Sequence, residues 1–199
     1  MAEISRALIL AGLVIPIIVG STTALADNEG VRELGPHAVA YEGPEIEVAV
    51  NFLQANGAIG EQWLIVVAYL AGVQGGDVTL VSRSAVSVRT PDGRQLPLVT
   101  QAEYRSAYGK IRTRIQRALS TAGSFRTVGG SHRPCGRWFL EDPVKGIGRD
   151  EMQIGRNEEC SGPLVFSVPG GVQPGRWRLV IELEESRVDL PFELELDDS

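Results

Sequence analysis

The chain has 199 residues, a formal net charge of −6, 43% hydrophobic and 22% charged residues. Those proportions belong to a folded soluble domain and exclude wholesale disorder and a multi-span membrane protein. The acidic balance also argues against nucleic acid as a partner.

The first 26 residues have the segment order of an export leader. Arg6 and the amino terminus give a weak positive start, residues 7–20 form an uncharged apolar run interrupted only by Pro16, and Ala24, Leu25 and Ala26 end it. Small side chains at the first and third of those last positions suit a signal peptidase pocket, so cleavage after Ala26 is expected. The alternative is an uncleaved N-terminal anchor, but the apolar run is shorter than the roughly 20 residues that span a bilayer. No later segment is long and apolar enough for a second span, so the mature chain is expected to carry none. Removal of the leader leaves roughly 170 residues, the size of one domain. The expected organisation is a lead-in over 27–44 and a single domain over 45–199, in the periplasm or outside the cell.

Residues 45–53 open the strand signals: Ile46, Val48, Val50 and Phe52 alternate with Glu45, Glu47, Ala49 and Asn51, the period of a sheet with one buried face. Asn56 and Gly57 offer a turn. Residues 61–71 are apolar nearly throughout and rich in β-branched and aromatic side chains, which predicts a central strand. Residues 78–82 and 85–90 predict one bent strand or two short ones. Pro91, Asp92 and Gly93 predict a turn that returns 95–99 antiparallel to 86–90.

At Thr100 the period changes. Thr100 and Glu103 have capping-box spacing, and Tyr104, Tyr108, Ile111, Ile115 and Leu119 follow at helical steps. One amphipathic helix over about 101–121 is predicted, with Gly109 its weak point and Gly123 its stop. Residues 123–137 read as loop, 138–140 as a short strand, and 141–161 as a long irregular stretch that needs tethering. Strands are predicted again at 164–168, 176–184 and 188–196, the last two forming a hairpin. Trp177, Leu179, Ile181 and Leu183 share one face of it with Val188, Leu190, Phe192, Leu194 and Leu196.

About eight strand segments and one long helix predict a mainly β fold, an antiparallel β-sandwich with an inserted helix; a half-open barrel is the alternative. The stretch 62–68, the segment 78–88 with Pro91, Asp92 and Gly93 after it, and the turn Gln173, Pro174, Gly175 ahead of Trp177 resemble the Ig-like modules of small bacterial exported proteins. The resemblance covers about half of the mature chain. It implies an Ig-like sandwich and carries over no activity and no functional residue.

The two cysteines, Cys135 and Cys160, are an even count in an exported chain and predict one disulfide. A zinc site built from His132 and Cys135 lacks further ligands, and the acidic pairs at 150–151 and 158–159 match no calcium loop, so neither metal nor cofactor is expected. Ser131 beside His132 lacks the nucleophile-elbow pattern, and phosphate-cradling and dinucleotide motifs are absent. Charge is strongly polarised: 11 basic residues face only Asp92 and Glu103 between Arg83 and Arg137, while the rest of the mature chain has 7 basic and 22 acidic. On the helix, Arg105 and Arg112 fall on one flank of the apolar face, Arg114 on the other, and Lys110 and Arg117 further round. These five are the candidate anion-binding residues. The expected function is a non-catalytic exported binding or structural domain that engages an envelope protein or an anionic surface. The alternative is an envelope hydrolase without a recognisable motif.

Overall fold

The computed structural model describes residues 30–123 and 133–196. Residues 1–26, expected to be an export leader, and the Ser131–His132 pair lie outside that range. The chain is mainly β. Its elements are β1 (Val31–Gly35), β2 (Ala38–Glu42), β3 (Ile46–Asn51), β4 (Trp63–Gly72), β5 (Thr79–Ser82), β6 (Val86–Arg89), β7 (Gln95–Pro97), α1 (Gln101–Thr121), β8 (Arg133–Pro134), β9 (Glu151–Ile154), β10 (Glu158–Ser167), β11 (Gly175–Glu182) and β12 (Arg187–Leu194).

A six-stranded sheet runs β1-β2-β3-β4-β10-β8 and a four-stranded sheet runs β12-β11-β6-β7, with β5 and β9 forming a separate ribbon. All pairings are antiparallel except the short β8–β10 contact. The two larger sheets meet along one seam, where Leu98 bridges Phe166 and the Val99 amide donates to Val165. Along the opposite seam β12 lies against β2, and Phe52 meets Phe192 with ring centroids 5.2 Å apart. One core cluster takes side chains from both sheets, and among the described residues all its members fall between Val39 and Leu194.

The period-two pattern becomes two faces of the six-stranded sheet. Tyr41, Val48, Leu70 and Cys160 stand in one cross-strand row, and Val39, Val50, Ala68 and Gly162 in the next. These face the core shared with the second sheet. Ala49, Asn51, Val67 and Tyr69 point the other way, toward α1, and the two residues just after that helix accept hydrogen bonds from the Asn51 amide (3.5 Å, to Ala122) and the Tyr69 hydroxyl (2.6 Å, to Gly123). Strand β4 is therefore buried on both sides, which explains its unbroken apolar run. The terminal hairpin follows the expected register, with Trp177 opposite Phe192, Leu179 opposite Leu190 and Ile181 opposite Val188.

Several elements differ from expectation. The lead-in contains β1 and β2, hydrogen-bonded in series to β3, so the domain begins before residue 45. The segment 78–90 forms two short strands, the second of the two expected arrangements, and they lie in different sheets, separated by a 3-10 turn at Arg83–Ala85. Residues 138–140 form no strand; Trp138, Phe139 and Leu140 are a buried plug. The irregular stretch contains β9 and the first residues of β10.

Helix α1 starts and stops where its residues dictate. The Thr100 hydroxyl accepts from the Glu103 amide at 3.1 Å while the Glu103 carboxylate accepts from the Thr100 amide at 2.8 Å, which satisfies two N–H groups the helix leaves over. Gly123 ends it at φ +68°, a conformation glycine adopts without a Cβ penalty. Thr100→Ala is expected to cost about 1 kcal/mol in urea unfolding. Hydrogen bonds from the Thr100 amide and then its hydroxyl hold the Glu103 carboxyl below its usual range. The carboxylate half of the cap is thus complete at neutral pH and is lost as pH falls through that depressed value.

Candidate functional site

The buried stripe of α1 is Tyr104, Ala107, Ile111, Ile115 and Ala118. Tyr108 is partly covered, and Leu119, expected in the stripe, is 45% exposed. Ala107 and Ala118 occupy the stripe beside the three larger residues, and Leu119 falls outside it. Burial pushes the Tyr104 hydroxyl well above the usual tyrosine range, so it stays protonated inside the core.

The five candidate cations divide. Arg114 is structural: its guanidinium donates to the Trp63 carbonyl at 2.9 Å and stands 3.8 Å from the Glu61 carboxylate. Burial lowers its proton affinity against the opposing pull of Glu61. It ties α1 to the start of β4 and has little capacity left for a ligand. Arg105, Lys110, Arg112 and Arg117 are exposed, and none pairs with a carboxylate at salt-bridge distance among the described residues. Seven-residue spacing keeps Arg105 with Arg112 on one flank and Lys110 with Arg117 on the other. Glu103 is the one carboxylate of the helix, and the cap engages it. The exposed face therefore carries two cationic rows with no acid of its own between them.

The Arg112 row meets the loop that follows Trp138. The Gln101 amide donates to the Glu141 carbonyl at 3.0 Å, and the Tyr108 hydroxyl donates to the Asp142 carboxylate. Bonds from the Val144 amide and then Tyr108, with smaller help from Lys145 and Arg112, hold Asp142 below the usual carboxylate range. Neither this contact nor the structural role of Arg114 has a signal in the residue types alone.

Cys135 and Cys160 stand at disulfide distance, with Cα atoms 4.9 Å apart. The bond fastens the end of β8 to β10 and leaves Cys135 no thiolate for a metal. The acidic pairs of the loop diverge, Asp150 pairing with Arg83 at 2.8 Å and Glu158 lying 3.7 Å from Arg137. Among the described residues no cluster of three or more His, Cys, Asp or Glu side chains is placed to hold a metal ion, and no helix is long and apolar enough to cross a membrane.

Among the described residues, two hollows bear on the search for a site. One, of about 400 Å³, lies at the seam between the β1–β2 turn and β12, with Phe52 and Phe192 in its lining and Glu33, His37, Arg176 and Glu193 among its polar groups. The other, of about 380 Å³, sets Arg83 and Arg149 against Asp150 and Glu151, a balanced set without preference for an anion. Comparison with protein-family models, with curated proteins and with solved structures finds no match to this chain.

Proposed function

We propose that this chain is an exported, non-catalytic binding domain of the Ig-like sandwich kind, whose helix α1 engages an anionic partner of the cell envelope. The observation that carries the reading is the charge state of α1: its only carboxylate is held in the N-cap, while Arg105, Lys110, Arg112 and Arg117 are exposed without ion pairs among the described residues. Cations that no protein acid neutralises attract polyanions, and the attraction weakens with salt. The leader pattern of residues 1–26 and the cysteine pair support a destination outside the cytoplasm.

Retention on immobilised dextran sulfate tests the reading. The chain from Asp27 onward contains every described core residue and is expected to bind at low ionic strength and to elute at moderate salt. Replacement of Arg105, Lys110, Arg112 and Arg117 by glutamine should abolish retention without changing the urea midpoint, because all four side chains are solvent-exposed. Arg114 is left in place for its structural role. Passage of the wild-type chain through the column at low salt would refute the reading.

A further inference from the structure

We propose that the loop between Trp138 and β9 is a lipid-insertion tip, with Val144 and Ile147 entering the headgroup boundary of an anionic bilayer and cations around them meeting the phosphates; this rests on the reading of α1 as an anion-binding element. Val144 is 88% and Ile147 81% exposed, the two highest values for large hydrophobic side chains among the described residues. Most aliphatic side chains of the chain are buried in the core, so a pair held this far into water calls for a physical cause.

The loop is not free to fold these side chains away. The Asp142 carbonyl accepts from the amides of Lys145 and Gly146, both at 2.9 Å, and the Asp142 carboxylate accepts from the Val144 amide at 3.0 Å. Gln101 anchors the loop at Glu141, and the Arg149 amide donates to the Trp138 carbonyl at 3.0 Å. Gly148 passes so close to the Phe139 carbonyl that a Cβ there would sit 2.3 Å from its oxygen. The turn is thus fastened at both ends, and Val144 and Ile147 project from it.

The charged groups of this region are arranged in an orderly way. Asp142 turns inward to Tyr108, Glu141 is partly buried with its carboxyl raised chiefly by that burial, and Asp150 pairs with Arg83. Lys145, between the two aliphatic residues in sequence, and Arg149, two positions after Ile147, are exposed and at salt-bridge distance from no carboxylate among the described residues, although Arg149 shares its hollow with Asp150 and Glu151. Arg112 lies near Asp142, and Arg105 and Leu119 each sit one heptad step from Arg112, in opposite directions along the same helix flank. Aliphatic tips with Lys145 and the Arg112 row beside them match the acyl boundary and phosphate layer of a bilayer. A protein partner fits less well, because two side chains on a projecting turn offer far less than the roughly 800 Å² per partner of a stable interface. A lipid surface needs no complementary shape.

Flotation of the chain from Asp27 onward with vesicles of equimolar phosphatidylglycerol and phosphatidylcholine, run beside dextran sulfate binding, separates the possibilities. The double variant Val144→Ser, Ile147→Ser keeps the charge and alters only solvent-exposed side chains, so it should fold as the wild type does. It is expected to partition into the vesicles about tenfold more weakly, the scale set by losing two aliphatic insertions, with dextran sulfate affinity unchanged. Equal vesicle binding by wild type and double variant overturns the insertion tip and leaves the anion reading intact. Wild-type binding to dextran sulfate but not to vesicles overturns the lipid partner and turns attention to an anionic polymer or protein. Binding to neither overturns both.

Discussion

Gly162→Ala is expected to destabilise the domain by about 2 kcal/mol, and Gly162→Val to prevent folding. Gly162 occupies the core face of β10 opposite Ala68, and the Trp138 indole covers the space its side chain would take. A Cβ built there would lie 2.5 Å from both Cγ and Cδ1 of Trp138. The ring cannot swing aside freely, because its Nε1 donates to the Pro163 carbonyl at 2.8 Å and the side chain is buried. Replacing glycine by alanine also removes unfolded-state freedom, which stabilises by only about 0.4–1 kcal/mol; overpacking wins. Trp138→Ala alone should cost about 3–5 kcal/mol through the cavity it leaves. In the double alanine variant the new methyl group enters that cavity, so the combined loss should fall short of the sum. Urea unfolding followed by circular dichroism measures all three, and a Gly162→Ala midpoint equal to wild type would show that the indole does not bear on this position.

The same pair shows where legibility ended. Alternation of apolar and polar residues marked β3, β11 and β12 and their core-facing sides; burial follows the same period in β12, whereas the second side of β3 is also covered, with Ala49 and Asn51 against α1, and Val180 is buried on the second side of β11. The continuous run of β4 was legible for the complementary reason, burial on both sides. Glycine at 162 and an aromatic plug at 138–140 have no local period; they answer to each other across 24 positions of chain, and the plug imitates a strand in composition. Strand β9 did alternate, with Met152 and Ile154 inward, but four residues are too few to separate a strand from chance. Strand β1 is an edge with Arg32 and Glu33 exposed, so burial leaves little mark on it, and the alanines of β2 are weak markers of the core.

The site was legible in part. The Thr100–Glu103 box and the helical spacing located the start of α1 and most of the stripe it buries. Arg114 could not be told from Arg117 by type, since its burial depends on where the start of β4 passes. Leu119 was assigned inward by its four-residue step from Ile115, whereas the neighbouring Ala118 takes the buried place. Val144 and Ile147 looked like ordinary members of an irregular stretch; only the bonds around Asp142 reveal that they are held outward.

Reduction of the Cys135–Cys160 bond is expected to lower the stability of the domain by about 3 kcal/mol, the chain-entropy value for closing a loop of this length, while leaving it folded. The bond joins residues 25 apart in sequence, and within that loop lie the Trp138–Leu140 plug, the tethered turn and β9. Each has native ties of its own: the indole bond to Pro163, the Gln101 contacts, and the pairing of β9 with β5. The disulfide therefore acts chiefly on the unfolded chain, by restricting how far the plug can stray from β10. Cys135→Ala with Cys160→Ala should reproduce the loss, and alanine is the right probe because Cys160 is fully buried, where a serine hydroxyl would add its own desolvation cost. The measurement is the urea midpoint with and without reductant at matched slope. Complete unfolding on reduction would mean that the plug and β9 cannot hold their places without the covalent link; a midpoint shift worth less than about 1 kcal/mol would mean that the unfolded chain is already constrained between these positions.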